Sequence, residues 1–315
     1  MNRAIHTENL RVGMYIHLPG AWHNHPFVKN EFSITSESQI QKILESGIKE
    51  VVVDPGRSVF PKPQNRTQQA KSIVPDELRE AIYDPKLPAQ EKAKTVKEHS
   101  SKMIKNLLDA PSTENIREAR QGIAELVDLI LKDDATSVCL LSITSHDYYT
   151  YTHSVNVGFL AISLSKLLFK NSTGHDLHEL GVGFFLHDLG KIHVDPAIIN
   201  KPGRLTEEEM RQMRQHPNKG YMLLYETKQL TAESAKIVLQ HHERYDGSGY
   251  PKGLKGSEIH LYGRICSVAD VFDALTSDRP YRQKLHPFDA LKLMKKEMIN
   301  HFQMELFEKF IYLLT

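Results

Sequence analysis

The chain has 315 residues, which suggests about two domains at roughly 150 residues each and is enough to bury a sizeable core without covalent staples. Lys plus Arg number 40 and Asp plus Glu 39, a net charge of +1, which disfavours a bulk DNA or RNA binder and a polybasic membrane anchor, so an anionic ligand needs a local cluster. Two cysteines, Cys139 and Cys266, exclude a disulfide scaffold and cannot by themselves complete a tetrahedral zinc site, so buried thiols in a reducing, cytoplasmic setting are expected. No uncharged apolar run is long enough for a transmembrane helix, and residues 1–10 lack the apolar core of a signal peptide.

Residues 1–60 read as a small α+β unit. Strands are expected at 11–18 and 27–34, and a helix at 36–46 on the spacing of Ile40, Ile43 and Leu44, with Gly47 placed for a C-cap. A short apolar strand at 50–53 ends in the turn Asp54-Pro55-Gly56. Residues 61–88 turn polar and Pro-rich and read as a linker, punctuated by Asp84-Pro85 and Pro88. From 89 to 315 the pattern is helical. Helices are expected at 90–108, 115–132, 154–169, 177–189, 232–242, 264–276 and 287–314. In 115–132, Ile116, Ile123, Val127 and Ile130 fall at offsets 0, 7, 11 and 14, one stripe at the helical period. Thr206-Glu207-Glu208-Glu209 is a capping box behind Pro202-Gly203. The fold class is therefore mainly α, an all-α bundle at 89–315 preceded by the small α+β unit.

The chemistry concentrates in the histidines, 17 in all. Inside the helical part stand His153, the doublet His187-Asp188, His216, the doublet His241-His242, and Asp270: five imidazoles and two carboxylates. With no thiol among them, the set suits iron, manganese, nickel or zinc in five- or six-coordinate sites. Seven ligands exceed what one ion takes from protein. A carboxylate can bridge two ions, and Asp188 is placed to do so. One ion would take His153, His187, Asp188 and Asp270, and the other Asp188, His216, His241 and His242. A shared hydroxide would then attack phosphorus in line. Taken singly, each residue has a plainer alternative: a polar core histidine, a helix-end histidine at His216, or an exposed pair at His241-His242.

The run His187-Asp188-Leu189-Gly190-Lys191-Ile192 resembles the signature of HD-domain phosphohydrolases. The run His241-His242-Glu243-Arg244-Tyr245-Asp246-Gly247-Ser248-Gly249-Tyr250-Pro251 resembles the defining motif of the HD-GYP subfamily. Residues 200–206, 268–282 and 153–157 match its other motifs, so the resemblance covers roughly residues 140–300. Residues 10–15 and 22–27 are similar to a small uncharacterised domain often found ahead of it. The resemblance implies an HD-type helical bundle that hydrolyses cyclic di-GMP to pGpG, in some members on to GMP, at two divalent ions, iron or manganese. It carries over the same seven ligands and adds Lys191 and Asp147 near the attacking water. It also implies that Tyr250, Arg279 and Arg282 hold the substrate. In members with three metals a Glu lies four residues before the first histidine; here that place is Tyr149, so two ions are expected. A silent sensor that docks on cyclase domains through Gly249-Tyr250-Pro251 is the alternative from another class, and a hydrolase of another cyclic dinucleotide is the third. Helices within 90–132 are candidates for homodimer pairing, with core packing the plainer role. Neither a nucleic-acid nor a membrane partner is expected.

Overall fold

A computed structural model describes residues 3–19, 27, 29–35, 37–58, 72–143, 150–278 and 283–315. The chain divides into two compact units, Met1–Lys71 and Ser72–Thr315.

The first unit is built on a four-stranded antiparallel sheet ordered β1-β4-β2-β3, with β1 at Arg3–His6, β2 at Tyr15–His17, β3 at Glu31–Ser33 and β4 at Glu50–Asp54. Val51 and Val53 of β4 point inward while Val52 is exposed, the alternation of a sheet covered on one face. The inner face packs with Leu10, Ile16, Leu18 and Ile34 against Ile40 and Ile43 of helix α1, Glu37–Glu45. Gly47, with φ at +76°, takes the left-handed conformation expected of it behind that helix. Strand β1 was not evident from its composition: Arg3-Ala4-Ile5-His6 is short and half polar, and it pairs with β4 at the sheet edge.

The second unit is helical. Its helices are α2 Asp76–Tyr83, α3 Ala89–Asp109, α4 Thr113–Lys132, α5 Asp134–Ser142, α6 Thr150–Leu168, α7 Leu177–Phe185, α8 Pro196–Ile199, α9 Glu207–Met213, α10 His216–Glu226, α11 Ala232–Gln240, α12 Leu261–Thr276, α13 Pro287–Glu297 and α14 Met304–Leu314. The linker expected through residue 88 is corrected by α2, whose Leu78, Ala81 and Ile82 are buried with the main core. The polar, Pro-rich composition hid a helix of only eight residues with a single buried face.

Helix α6 is the centre. Every residue from Thr152 to Ser165 is buried, as expected of a helix apolar on most sides, and α3, α4, α7, α12 and α14 pack around it. Two expected helices end early. The helix read as 177–189 stops at Phe185, and a 3-10 turn at Leu189–His193 follows. The helix read as 287–314 is two, because residues 298–303 leave the helical path to bond elsewhere: His301 accepts from the Tyr245 amide at 2.9 Å and Gln303 from Arg264 at 2.5 Å. The capping box forms as read, with Thr206 and Glu209 bonded reciprocally. Among the described residues no helix is long and apolar enough to cross a membrane.

Candidate metal centre

The seven candidate ligands come from five elements and meet in one pocket. His153 lies in the first turn of α6, His187 and Asp188 follow the end of α7, and His216 opens α10. His241 caps the end of α11 with His242 next to it, and Asp270 is in mid-α12. Helix ends serve this purpose because a terminal side chain can turn into a cleft without interrupting the helical ladder.

Asp188, 1% exposed, is the hub. Its Oδ2 lies 3.5 Å from His153 Nε2 and 3.4 Å from His187 Nε2. Its Oδ1 lies 3.2 Å from His216 Nε2 and 3.8 Å from His241 Nε2. Two groups of ligand atoms, each within 4.8 Å of one another, share this one carboxylate: His153, His187 and Asp188, and Asp188, His216, His241 and His242. Asp270 stands between them, its Oδ1 3.0 Å from His153 Nε2 and its Oδ2 3.4 Å from His242 Nδ1.

The ring orientations fit cation ligation. His187, His216 and His241 each place Nδ1 on a backbone carbonyl one turn earlier, those of Phe184, Met213 and Val238, at 2.7, 2.8 and 2.9 Å. That bond fixes the ring and turns Nε2 into the pocket. His187 Nε2 and Asp188 Oδ1 are fully buried and without a hydrogen-bond partner, and His216 Nε2 faces His241 Nε2 at 3.1 Å. Buried polar atoms left in this state are costly, and divalent ions held by the two groups would satisfy them.

Electrostatics agree. Burial works to raise the Asp188 carboxyl, but Lys191 and His187 hold it well below the usual carboxylate range. Asp270 is likewise lowered: burial opposes, and the hydrogen bond from His153 together with nearby imidazoles outweighs it. Burial, joined by His216, pushes His242 down to about 3, and burial with His242 and His187 holds His241 well below the usual imidazole value, so both present neutral nitrogens. His153 goes the other way, to about 9: burial would lower it, but hydrogen bonds to Asp270 and Asp273 prevail.

Lys191 projects from the 3-10 turn and donates to Asp188 Oδ2 at 2.6 Å, at the edge of the pocket. The turn can approach α10 because residue 190 is glycine: a Cβ there would overlap the His216 carbonyl and the Gly220 backbone. Tyr250 lies over the His242 ring, centroids 4.6 Å apart, with the Arg214 guanidinium 5.4 Å from its own ring centre. Burial and the two carboxylates push its phenol up, so it stays a donor. Its loop is set by Glu243, 1% exposed, which accepts from the amides of Lys252 and Leu254 at 2.7 and 2.9 Å. Gly249 permits the fold-back, since a Cβ there would strike the backbone at residues 242–244. Asp147, Tyr149, Arg279 and Arg282 lie outside the described residues. Sequence reading gave no role to Glu243 or to Asp273; the signal for Asp273 was a carboxylate inside an apolar stretch, three residues from Asp270, whereas Glu243 lies in a polar run that carries no such signal.

An all-α unit that gathers five imidazoles and two carboxylates into one buried pocket defines a helical His/Asp cation-binding domain. The chain belongs to the HD domain family, in its HD-GYP branch: the family model described as HD domain matches residues 145–306. A second model, domain of unknown function (DUF3391), matches residues 2–133 and so runs from the sheet unit through α4. Cyclic di-GMP phosphodiesterase PA4108 of Pseudomonas aeruginosa is 33% identical over 99% of this chain and 76% of its own length. The 3'3'-cGAMP-specific phosphodiesterase 3 of Vibrio cholerae is 34% identical over 53% of this chain and 36% of its own. Among solved structures, Bd1817, an HDG"Y"P protein from Bdellovibrio bacteriovorus, shares the fold at TM-score 0.64 and 17% identity, covering 100% of this chain and 99% of that one.

Proposed function

We propose that this chain is a metal-dependent phosphodiesterase that opens cyclic di-GMP to pGpG at two divalent ions, iron or manganese, which nickel or zinc could replace in such a ligand set. The observation that carries the reading is Asp188, one carboxylate common to two ligand groups. His153, His187, Asp188 and Asp270 would hold one ion and Asp188, His216, His241 and His242 the other, with Asp270 within reach of both. Bound there, the cations would supply Lewis-acid polarisation of the phosphodiester and make a shared water acidic enough to attack at neutral pH.

The chain's own residues do the rest. Lys191 holds Asp188 in place and adds a positive charge where the attacked phosphate gains negative charge. Tyr250, held protonated at the mouth, donates to a phosphate oxygen, and Glu243 keeps its loop in register. Neutral His241 and His242 each offer a cation an unprotonated ring nitrogen. Arg279 and Arg282 are assigned to the substrate's phosphates and guanine faces.

Turnover of cyclic di-GMP and 3'3'-cGAMP side by side, on anaerobically prepared protein, tests the reading. Linear pGpG from cyclic di-GMP, formed faster than any product of 3'3'-cGAMP, is expected. Preference for the mixed dinucleotide favours the second substrate, for which the Vibrio cholerae relative is named. Nucleotide bound without turnover would overturn the enzyme reading.

A further inference from the structure

The five imidazoles of the pocket are not held alike. His187, His216 and His241 rest Nδ1 on neutral backbone carbonyls, and His242 turns Nδ1 toward Asp270. His153 alone places Nδ1 on a second carboxylate, Asp273 Oδ2, at 2.7 Å, while its Nε2 faces the pocket. Asp273 is itself 4% exposed and held from two sides. Asn156 donates to its Oδ1 at 2.7 Å and the Ser277 hydroxyl to its Oδ2 at 3.3 Å.

The arrangement follows from spacing. His153 and Asn156 are three apart on α6, and Asp270 and Asp273 are three apart on α12, so each pair shares a helix face where the two helices pack. A carboxylate behind an imidazole fixes the ring more tightly than a carbonyl and makes the opposite nitrogen a stronger donor to a cation.

We propose that Asp273 is a positioning residue that makes the two cation positions unequal: by holding His153 through a buried carboxylate, it makes the His153 side the tighter of the two. This rests on the two-ion reading above. Asp273 touches neither ion nor substrate; it acts through His153.

Release of Mn2+ to excess EDTA from the loaded full-length protein tests it. The native chain is expected to release its ions in two phases. His216→Ala should remove the fast phase, which assigns it. Asp273→Asn keeps size and an oxygen acceptor but loses the charge; it should accelerate the slow phase by about 10–100-fold and leave the fast phase alone. Asn156→Ala, which frees one side of Asp273, should shift the same phase less and carries the test if the Asp273 variant does not fold. Two ions released at native rates from these variants, or a change confined to the fast phase, overturns the proposal while leaving the two-ion site standing. A native chain that takes up no Mn2+ sinks the two-ion reading, and this inference with it.

Discussion

His153 and His242 lie in one pocket, yet their acidities have moved in opposite directions. His242, at about 3, is neutral in the folded protein at any ordinary pH. His153, at about 9, carries both ring protons, one toward Asp270 and one toward Asp273. A cation can bind His153 Nε2 only by displacing the first. Loading the metal-free protein at pH 7.5 should therefore release at least one proton per chain, read by calorimetry in buffers of different ionisation enthalpy; release below one would contradict the assignment. The same raised value fixes a sign for stability. The contribution of His153 is complete below the unfolded value of about 6.5 and is lost as pH rises through about 9. Lys191 has a separate role: Lys191→Met should leave both ions bound and lower kcat by about 10²-fold or more, as loss of a donor aimed at developing charge does. Loss of the ions instead would make Lys191 structural.

Elements position these side chains by ending where they do. The 3-10 turn that carries Lys191 sits flush on the start of α10 only because residue 190 has no side chain. Gly190→Ala should push the turn from α10, part Asp188 from His216, and cost about 1–3 kcal/mol as overpacking. Thermal denaturation and metal content together check this; an unchanged melting temperature with full metal content would show that the turn yields. Ligand residue types were legible in sequence because histidine and aspartate are out of place beside apolar helices. The helix ends were less so. Periodicity runs through 177–189 without a break, and nothing local says that the chain leaves the helix at Phe185 to turn His187 and Asp188 inward. Asp273 was hidden for a related reason: its partner lies 120 residues away, across a helix contact that only packing reveals.

At the scale of the molecule, the two units have separate cores, and all seven candidate ligands belong to the second. The helical class was plain from periodicity, while the boundary was not, because α2 sits in a stretch with linker composition and still buries three apolar residues. The fragment Ser72–Thr315 should fold and retain its cations; a fragment that precipitates or stays metal-free would make the sheet unit part of the folding requirement. Everything in the reading above depends on two ions sharing Asp188. The direct measurement is metal content per chain of the anaerobically prepared protein beside its Asp188→Ala variant. Two ions in the native chain and none in the variant is the predicted result. A variant that keeps two ions, or a native chain that binds only one, would contradict it.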